Sequence, residues 1–316
     1  VGKLVPRARS TARILYLIYI TLTLTETFSL MIAGMDFYNA LLHAFSTAGT
    51  GGFSTHPASI GGFNSLAIER IITAYMILFG INFNLYFLIL IGSAGKALRN
   101  EELHCYLAVI LASSVLIAVG LVRTGSISMG RALHEALFNV ASVISTTGFG
   151  TVDFTQWPEY CKWILIILMF SGACAGSTGG GMKISRLMIM VRAIREELLH
   201  MLRPRRVARV SMDGQRVQMD TVRAAFTFGV LYLIILLIVS LAVSLDGFDL
   251  ATSWTATLSC LSNIGPGMTP IIGPSGSFAV FSTRSKMLLC MTMLTGRLEI
   301  YPVLILFLPR TWNDHF

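Results

Sequence analysis

Three short stretches of this 316-residue chain share the frame x-x-Gly-x-Gly: Thr47-Ala48-Gly49-Thr50-Gly51, Thr146-Thr147-Gly148-Phe149-Gly150 and Asn263-Ile264-Gly265-Pro266-Gly267. The chemistry open to such a frame is cation coordination by backbone carbonyls. Successive carbonyls can turn toward one axis only through backbone angles that glycine tolerates and a β-carbon resists. A ring of neutral carbonyls replaces the hydration shell of a large, weakly hydrated cation such as potassium. One glycine pair alone would more simply cap a short helix. Three of them, each following a short helical pattern and lying between two apolar runs, shift the reading toward a filter. A phosphate cradle is excluded: no stretch matches GxGxxG, and Gly176-Ser177-Thr178-Gly179-Gly180-Gly181-Met182 carries one residue too many before Lys183 for GxxxxGK[ST].

The composition says where such loops must sit. Hydrophobic residues make up 54% of the chain and charged residues 13%, and the mean hydropathy is +0.71. Soluble domains carry about 25% charged residues, so a water-facing surface cannot be built here. The net charge of +8 comes from Lys and Arg flanking apolar runs, which marks topology and not nucleic-acid binding. The five cysteines are scattered without CxxC spacing and read as buried thiols. The six histidines show no metal-ligand spacing. The chain opens at Val1 in a basic segment, as though sequence preceded it.

Apolar runs cover residues 14–33, 71–91, 103–122, 163–175, 224–245 and 287–308. Between the members of each pair lies a helical stretch of about a dozen residues, opening near Asp36, Met129 or Asp249 and ending in one of the glycine loops. That is too short to cross a bilayer and suits a re-entrant half-helix. The unit is span (M1), half-helix with loop (P) and span (M2), and it occurs three times. Gly80 and Gly296 each fall 31 residues after Gly49 and Gly265, which supports duplication. Seventeen Lys and Arg lie on the side of the repeat ends, against six on the half-helix side. The basic loops are therefore expected in the cytosol and the glycine loops on the outer side. That outer side also carries Asp36, Glu69, Glu135, Asp153, Glu159, Asp246 and Asp249, which concentrate cations at a mouth.

The motifs STAGTGGFSTHP from Ser46, STTGFGT from Ser145, SGACAGSTGGGMKISR from Ser171, SNIGPG from Ser262 and GRLEIYPVL from Gly296 extend over essentially the whole chain. They resemble the Trk/Ktr/HKT superfamily of potassium transporters, and within it the bacterial TrkH/TrkG branch. The resemblance implies an all-α polytopic membrane protein of repeated M1–P-loop–M2 units around a central pore, as in potassium channels. Three of an expected four units are present: residues 1–98 (second repeat), 99–215 (third, with a basic cytosolic linker) and 216–316 (fourth). It further implies potassium uptake across the bacterial inner membrane, with the filter facing the periplasm. The glycines and carbonyls of Thr47, Ala48, Gly49, Thr146, Thr147, Gly148, Asn263, Ile264 and Gly265 are the implied ion ligands. Thr50, Phe149 and Pro266 stand where channel filters have Tyr, which implies a simpler filter with fewer sites.

Gly176, Ser177, Thr178, Gly179, Gly180 and Gly181 read from periodicity either as the end of a span or as a break within the membrane. The resemblance makes them a gate loop, with Arg297 as an electrostatic barrier in the pore. An arginine inside an apolar run is costly and is usually functional; a pair with Glu299 is disfavoured because i,i+2 residues do not face one another on a helix. Asn82 and Asn84 either line the pore or pair helices. Residues 186–223 are strongly basic, with a hairpin turn at Met212-Asp213-Gly214-Gln215. The resemblance adds a docking surface there for a cytosolic nucleotide-binding regulatory subunit of TrkA/KtrA type, and a homodimer in the lipid. No nucleotide and no nucleic acid is expected on this chain, and no enzymatic activity. The competing reading is an alternating-access transporter coupling Na+ or H+ to a solute, which would call for inverted repeats.

Overall fold

The computed structural model describes residues 8–125, 127–203 and 209–307. The described residues are mostly helical, with a single two-stranded hairpin among them. Three helices are long and apolar enough to cross a membrane: α1 (Ala8–Ile32), α6 (Glu101–Arg123) and α10 (Met219–Ser244). At 1.5 Å per residue, helices of this length span the ~30 Å hydrocarbon layer. Their outward faces are large and apolar, as at Leu17, Leu116, Leu237 and Leu241, which lipid can solvate and water cannot.

Each long helix packs on the shorter helix that follows it: α1 on α2 (Phe37–Ala48), α6 on α7 (Met129–Ile144) and α10 on α11 (Leu250–Ser262). Asp36, Ser128 and Asp249 are the N-caps of these half-helices, and Asp36 accepts the amide of Asn39. The packed faces of the half-helices carry Ala, Ser and Thr, whose small side chains let backbones approach, while α2 leaves Phe37, Tyr38 and Phe45 exposed on its other face. In α11 nearly every residue from Thr252 onward is buried, and two of its hydroxyls bond within the helix, Thr255 to the Ala251 carbonyl and Thr257 to that of Ser253. The next helices, α3 (Leu66–Phe79), α8 (Glu159–Ser171) and α12 (Thr283–Arg297), pack on the half-helix of their own unit. Contacts between units repeat as well: α3 lies on α7, and α8 lies on α11.

The second span of every unit is broken. The apolar run 71–91, expected as one span, is α3 and α4 (Phe83–Leu90), bent by 87° at Gly80-Ile81-Asn82. The run 287–308 likewise divides into α12 and α13 (Tyr301–Leu306), with positive φ at Glu299 and Ile300. Hydropathy averaged over a span-length window does not register such breaks, because the runs on either side of them are apolar. The basic stretch expected as a linker is mainly a helix, α9 (Ile184–Leu202). The hairpin is present as β1 (Ser211–Met212) and β2 (Gln215–Arg216), with Asp213 and Gly214 both at positive φ, the signature of a tight hairpin turn. The unit boundary expected between residues 215 and 216 therefore cuts β2. Helix α5 (Ala94–Leu98) connects α4 to α6.

Close helix approach makes one glycine critical to assembly. A β-carbon on Gly296 of α12 would lie 1.9 Å from the Leu261 carbonyl of α11. Gly296→Ala must push the two backbones apart, and overpacking of this kind costs about 1–3 kcal/mol. The melting temperature of the detergent-solubilised variant is expected to fall; an unchanged melting curve would contradict the packing described.

Candidate pore and gate

The three glycine loops follow α2, α7 and α11 and lie against one another. Their backbones are equivalent, but in a register other than the x-x-Gly-x-Gly frame. Thr50, Thr146 and Asn263 are all left-handed, at φ 50°, 59° and 57°. Each donates its amide to the carbonyl three residues back, and the following residue donates five residues back: Gly51 to Ser46, Thr147 to Ser142 and Ile264 to Ser259. The third residue is a glycine at positive φ in every loop: Gly52 (69°), Gly148 (84°) and Gly265 (115°). The matching triplets are thus Thr50-Gly51-Gly52, Thr146-Thr147-Gly148 and Asn263-Ile264-Gly265.

This corrects the first loop by three residues. Thr47 and Ala48 still belong to α2, the Thr47 carbonyl accepts the Thr50 amide, and Gly49 is a right-handed C-cap at φ −79°. The second and third loops keep the expected register. A sequence signal for the shift exists: Gly52-Phe53-Ser54-Thr55 parallels Gly148-Phe149-Gly150-Thr151 in Gly-Phe-x-Thr. The 31-residue coincidence between Gly49–Gly80 and Gly265–Gly296 accordingly loses its meaning.

Neighbouring loops make the same contact. A β-carbon on Gly52 would stand 2.1 Å from the Thr147 carbonyl oxygen, and one on Gly148 would stand 1.8 Å from that of Ile264. Gly52 and Gly148 thus leave room for the second carbonyl of the next loop. At Gly265 the space is open, and the backbone angle alone calls for glycine. Side chains brace the loops from behind. Ser142 donates to the Phe149 carbonyl at 2.7 Å, Ser259 accepts the Gly265 amide at 3.0 Å, and Nε2 of buried His43 lies 2.9 Å from the Ser54 hydroxyl.

Residues 172–183 connect α8 to α9 without helical structure and lie against all three loops. The Thr146 hydroxyl accepts the Gly180 amide at 2.6 Å. A β-carbon on Gly180 would approach the Ser262 carbonyl to 2.5 Å, and one on Gly179 would approach that of Ser145 to 2.9 Å. The Thr178 carbonyl is held from two sides, by the Thr50 hydroxyl at 3.1 Å and by Nη1 of Arg297 at 2.9 Å. The α3/α4 break joins in: Cys174 donates to the Gly80 carbonyl, and Phe83 donates to that of Gly176. Asn82 caps α4 by accepting the Asn84 amide, and its side chain lies beside Gly176, so it serves helix and loop together.

Arg297 is the last residue of α12 and stands at the break instead of the middle of a continuous helix. Glu299 is not its partner; it pairs with Arg186 of α9, whose guanidinium also lies over the Phe228 ring at 4.2 Å. Two further contacts with the loop were not foreseen. Lys183 donates from its buried ammonium to the Gly179 carbonyl, and Glu102 of α6 accepts the amides of Ala175 and Ser185. Lys183 sits in the glycine-rich motif itself and reaches back four residues, whereas Glu102 has no motif of its own and only long-range folding brings it to the loop.

At the ends of the spans, hydrogen bonds favour the ionised form of two acids, exposed Asp36 and half-buried Asp246. The Asn39 side chain and amide keep the Asp36 carboxyl below its usual range, and the Ser282 amide with the hydroxyls of Ser285 and Ser282 does the same for Asp246. His134 and Glu69 are bonded between α7 and α3. All five cysteines are free, with Cys161, Cys174 and Cys260 buried, Cys105 half-buried and Cys290 exposed. No group of three or more His, Cys, Asp or Glu side chains able to hold a metal occurs among the described residues.

Long apolar helices with apolar outward faces, and short helices ending in glycine loops that touch one another, define a multi-pass membrane protein. The chain belongs to the TrkH family of cation transport proteins, which matches residues 1–314. It is 35% identical over 321 residues to the Trk system potassium uptake protein TrkH of Halomonas elongata, covering 99% of this chain and 64% of that protein. It is 31% identical to the Trk system potassium uptake protein TrkG of Escherichia coli, covering 99% and 64%. The crystal structure of the potassium transporter TrkH from Vibrio parahaemolyticus superposes with a TM-score of 0.92 at 32% identity, covering 99% of this chain and 67% of that one. The chain thus spans a little under two thirds of the length of these curated relatives.

Proposed function

We propose that this chain lines a potassium-permeation pathway, with its three glycine loops as the filter and residues 176–181 with Arg297 as the gate. The observation that carries the reading is the repeated left-handed–x–glycine backbone of three touching loops, joined through Thr146 and Thr50 to one unwound segment. On this reading the carbonyls of Thr50, Gly51, Thr146, Thr147, Asn263 and Ile264 are ion ligands, and Gly52 replaces Gly49. The half-helices bring the negative ends of their dipoles toward the ion. Loops arranged side by side in one sense favour a ring over the paired inverted halves of an alternating-access transporter. The potassium-uptake names of the relatives support potassium as the ion. Nothing in the pathway calls for enzymatic chemistry.

The basic α9 and the hairpin suit a cytosolic regulatory partner, so nucleotides would act through that partner. Orientation follows from the Lys and Arg bias, with the filter outside. The deciding experiment is rubidium uptake by a potassium-uptake-deficient bacterial strain expressing the protein. Uptake is expected, and Gly179→Ala should change its rate without changing the rubidium-to-sodium preference. An unchanged rate would remove the gate assignment, and a changed preference would move the loop's role to the filter.

A further inference from the structure

One carboxyl oxygen closes the two ends of the unwound segment. Glu102, the second residue of α6, is buried, and its Oε1 accepts the Ala175 amide at 2.6 Å and the Ser185 amide at 3.2 Å. Ala175 directly precedes the glycine-rich stretch, and Ser185 lies in the first turn of α9. First-turn amides have no partner within their own helix, and the side chain of the N-cap residue Lys183 caps none of them. Glu102 supplies the acceptor from a different helix, at the positive end of the α9 dipole.

The same turn of α6 is tied to the hairpin. Asp213 accepts the Asn100 side-chain amide and the Glu101 backbone amide, both at 2.8 Å, and Arg192 of α9 bonds Glu101 and the Ser211 carbonyl at 2.6 Å each. Adjacent residues of one helical turn therefore hold the hairpin on one side and both ends of the loop on the other.

We propose that Glu102 is a positioning residue that pins the ends of the gate loop and links them, through the first turn of α6, to the hairpin. The proposal rests on the gate reading given above. With its ends pinned, the loop can leave the filter only by releasing its middle, at Thr178 and Gly180. With the pin removed, Ala175 and Ser185 lose their shared anchor while Cys174 and Gly176 stay bonded to the α3/α4 break, so the segment moves more readily.

The test is rubidium flux into vesicles holding purified protein, beside amide hydrogen exchange. Glu102→Ala is expected to raise flux about tenfold, the factor by which losing one or two hydrogen bonds shifts an equilibrium, with ion preference unchanged. Exchange should rise at Ala175 and Ser185 but not across α10. Glu102→Gln keeps the accepting oxygen and should restore wild-type flux. Glu102→Gln behaving like Glu102→Ala overturns the proposal, and so does exchange rising throughout the protein, which marks general destabilisation. If Gly179→Ala alters flux and Glu102→Ala does not, the proposal fails while the gate reading stands. If neither alters flux, both fail.

Discussion

Gly52→Ala is expected to abolish rubidium uptake, whereas Gly49→Ala should leave it within about twofold, the effect of a substitution that disturbs little. Gly52 lies at φ 69°, and its β-carbon would stand 2.1 Å from the Thr147 carbonyl oxygen. The left-handed backbone alone costs an L-residue about 1–2 kcal/mol, and the collision is with backbone that cannot rotate aside. Relief must displace the neighbouring loop, whose carbonyl is a proposed ligand. Gly49 is right-handed, and the nearest atom to its β-carbon is the Phe45 carbonyl one turn back in its own helix, at 3.2 Å. Gly148→Ala, at 1.8 Å from the Ile264 carbonyl, should match Gly52→Ala. Uptake is compared at equal membrane expression. Loss of uptake in Gly49→Ala with retention in Gly52→Ala would restore the register of the shared x-x-Gly-x-Gly frame and refute the backbone equivalence as a guide to function.

Arg297→Ala should raise cation flux about tenfold or more, while Arg297→Lys stays near wild type. Two unit charges 4 Å apart at an effective dielectric of 20 interact by about 4 kcal/mol, so a fixed guanidinium beside the conduction path is a substantial barrier to a cation. The guanidinium also holds the Thr178 carbonyl at 2.9 Å, so its removal frees one of the two bonds on that atom. Arg297→Gln separates the two effects, because a neutral side chain can still donate to Thr178. If charge dominates, glutamine behaves like alanine; if tethering dominates, it behaves like arginine. Rubidium efflux from loaded vesicles measures the rates. A rate equal to or below wild type in Arg297→Ala, at normal expression, would remove Arg297 from the gate.

Much of the architecture was legible in one dimension. The three long spans and three half-helices were expected from apolar run length and from Asp36, Met129 and Asp249 at the helix starts, and α1, α6, α10, α2, α7 and α11 occupy those places. The Asp213-Gly214 turn was legible because two consecutive positive φ angles suit few residue types. The breaks after Phe79 and Arg297 were not, since Gly80-Ile81 and Leu298 continue the apolar runs. The backbone-equivalent triplet of the first loop lies three residues beyond the expected one, because Gly49, Gly51 and Gly52 all offer plausible frames and counting glycines cannot tell a helix cap from a left-handed turn.

Composition and motif by themselves determined the membrane environment, the helical class and the family. These follow from local quantities: transfer free energy summed over about 20 residues, and glycine where a β-carbon is forbidden. The tertiary structure decided which glycine of the first loop is equivalent to Gly148, where the second spans break, and what holds the unwound segment. Those features depend on contacts between residues far apart in the chain, such as Thr50 with Thr178, Thr146 with Gly180, Arg297 with Thr178 and Glu102 with Ser185. Buried backbone groups must find partners. Where a helix is interrupted inside a membrane, those partners come from other helices, and no local pattern names them.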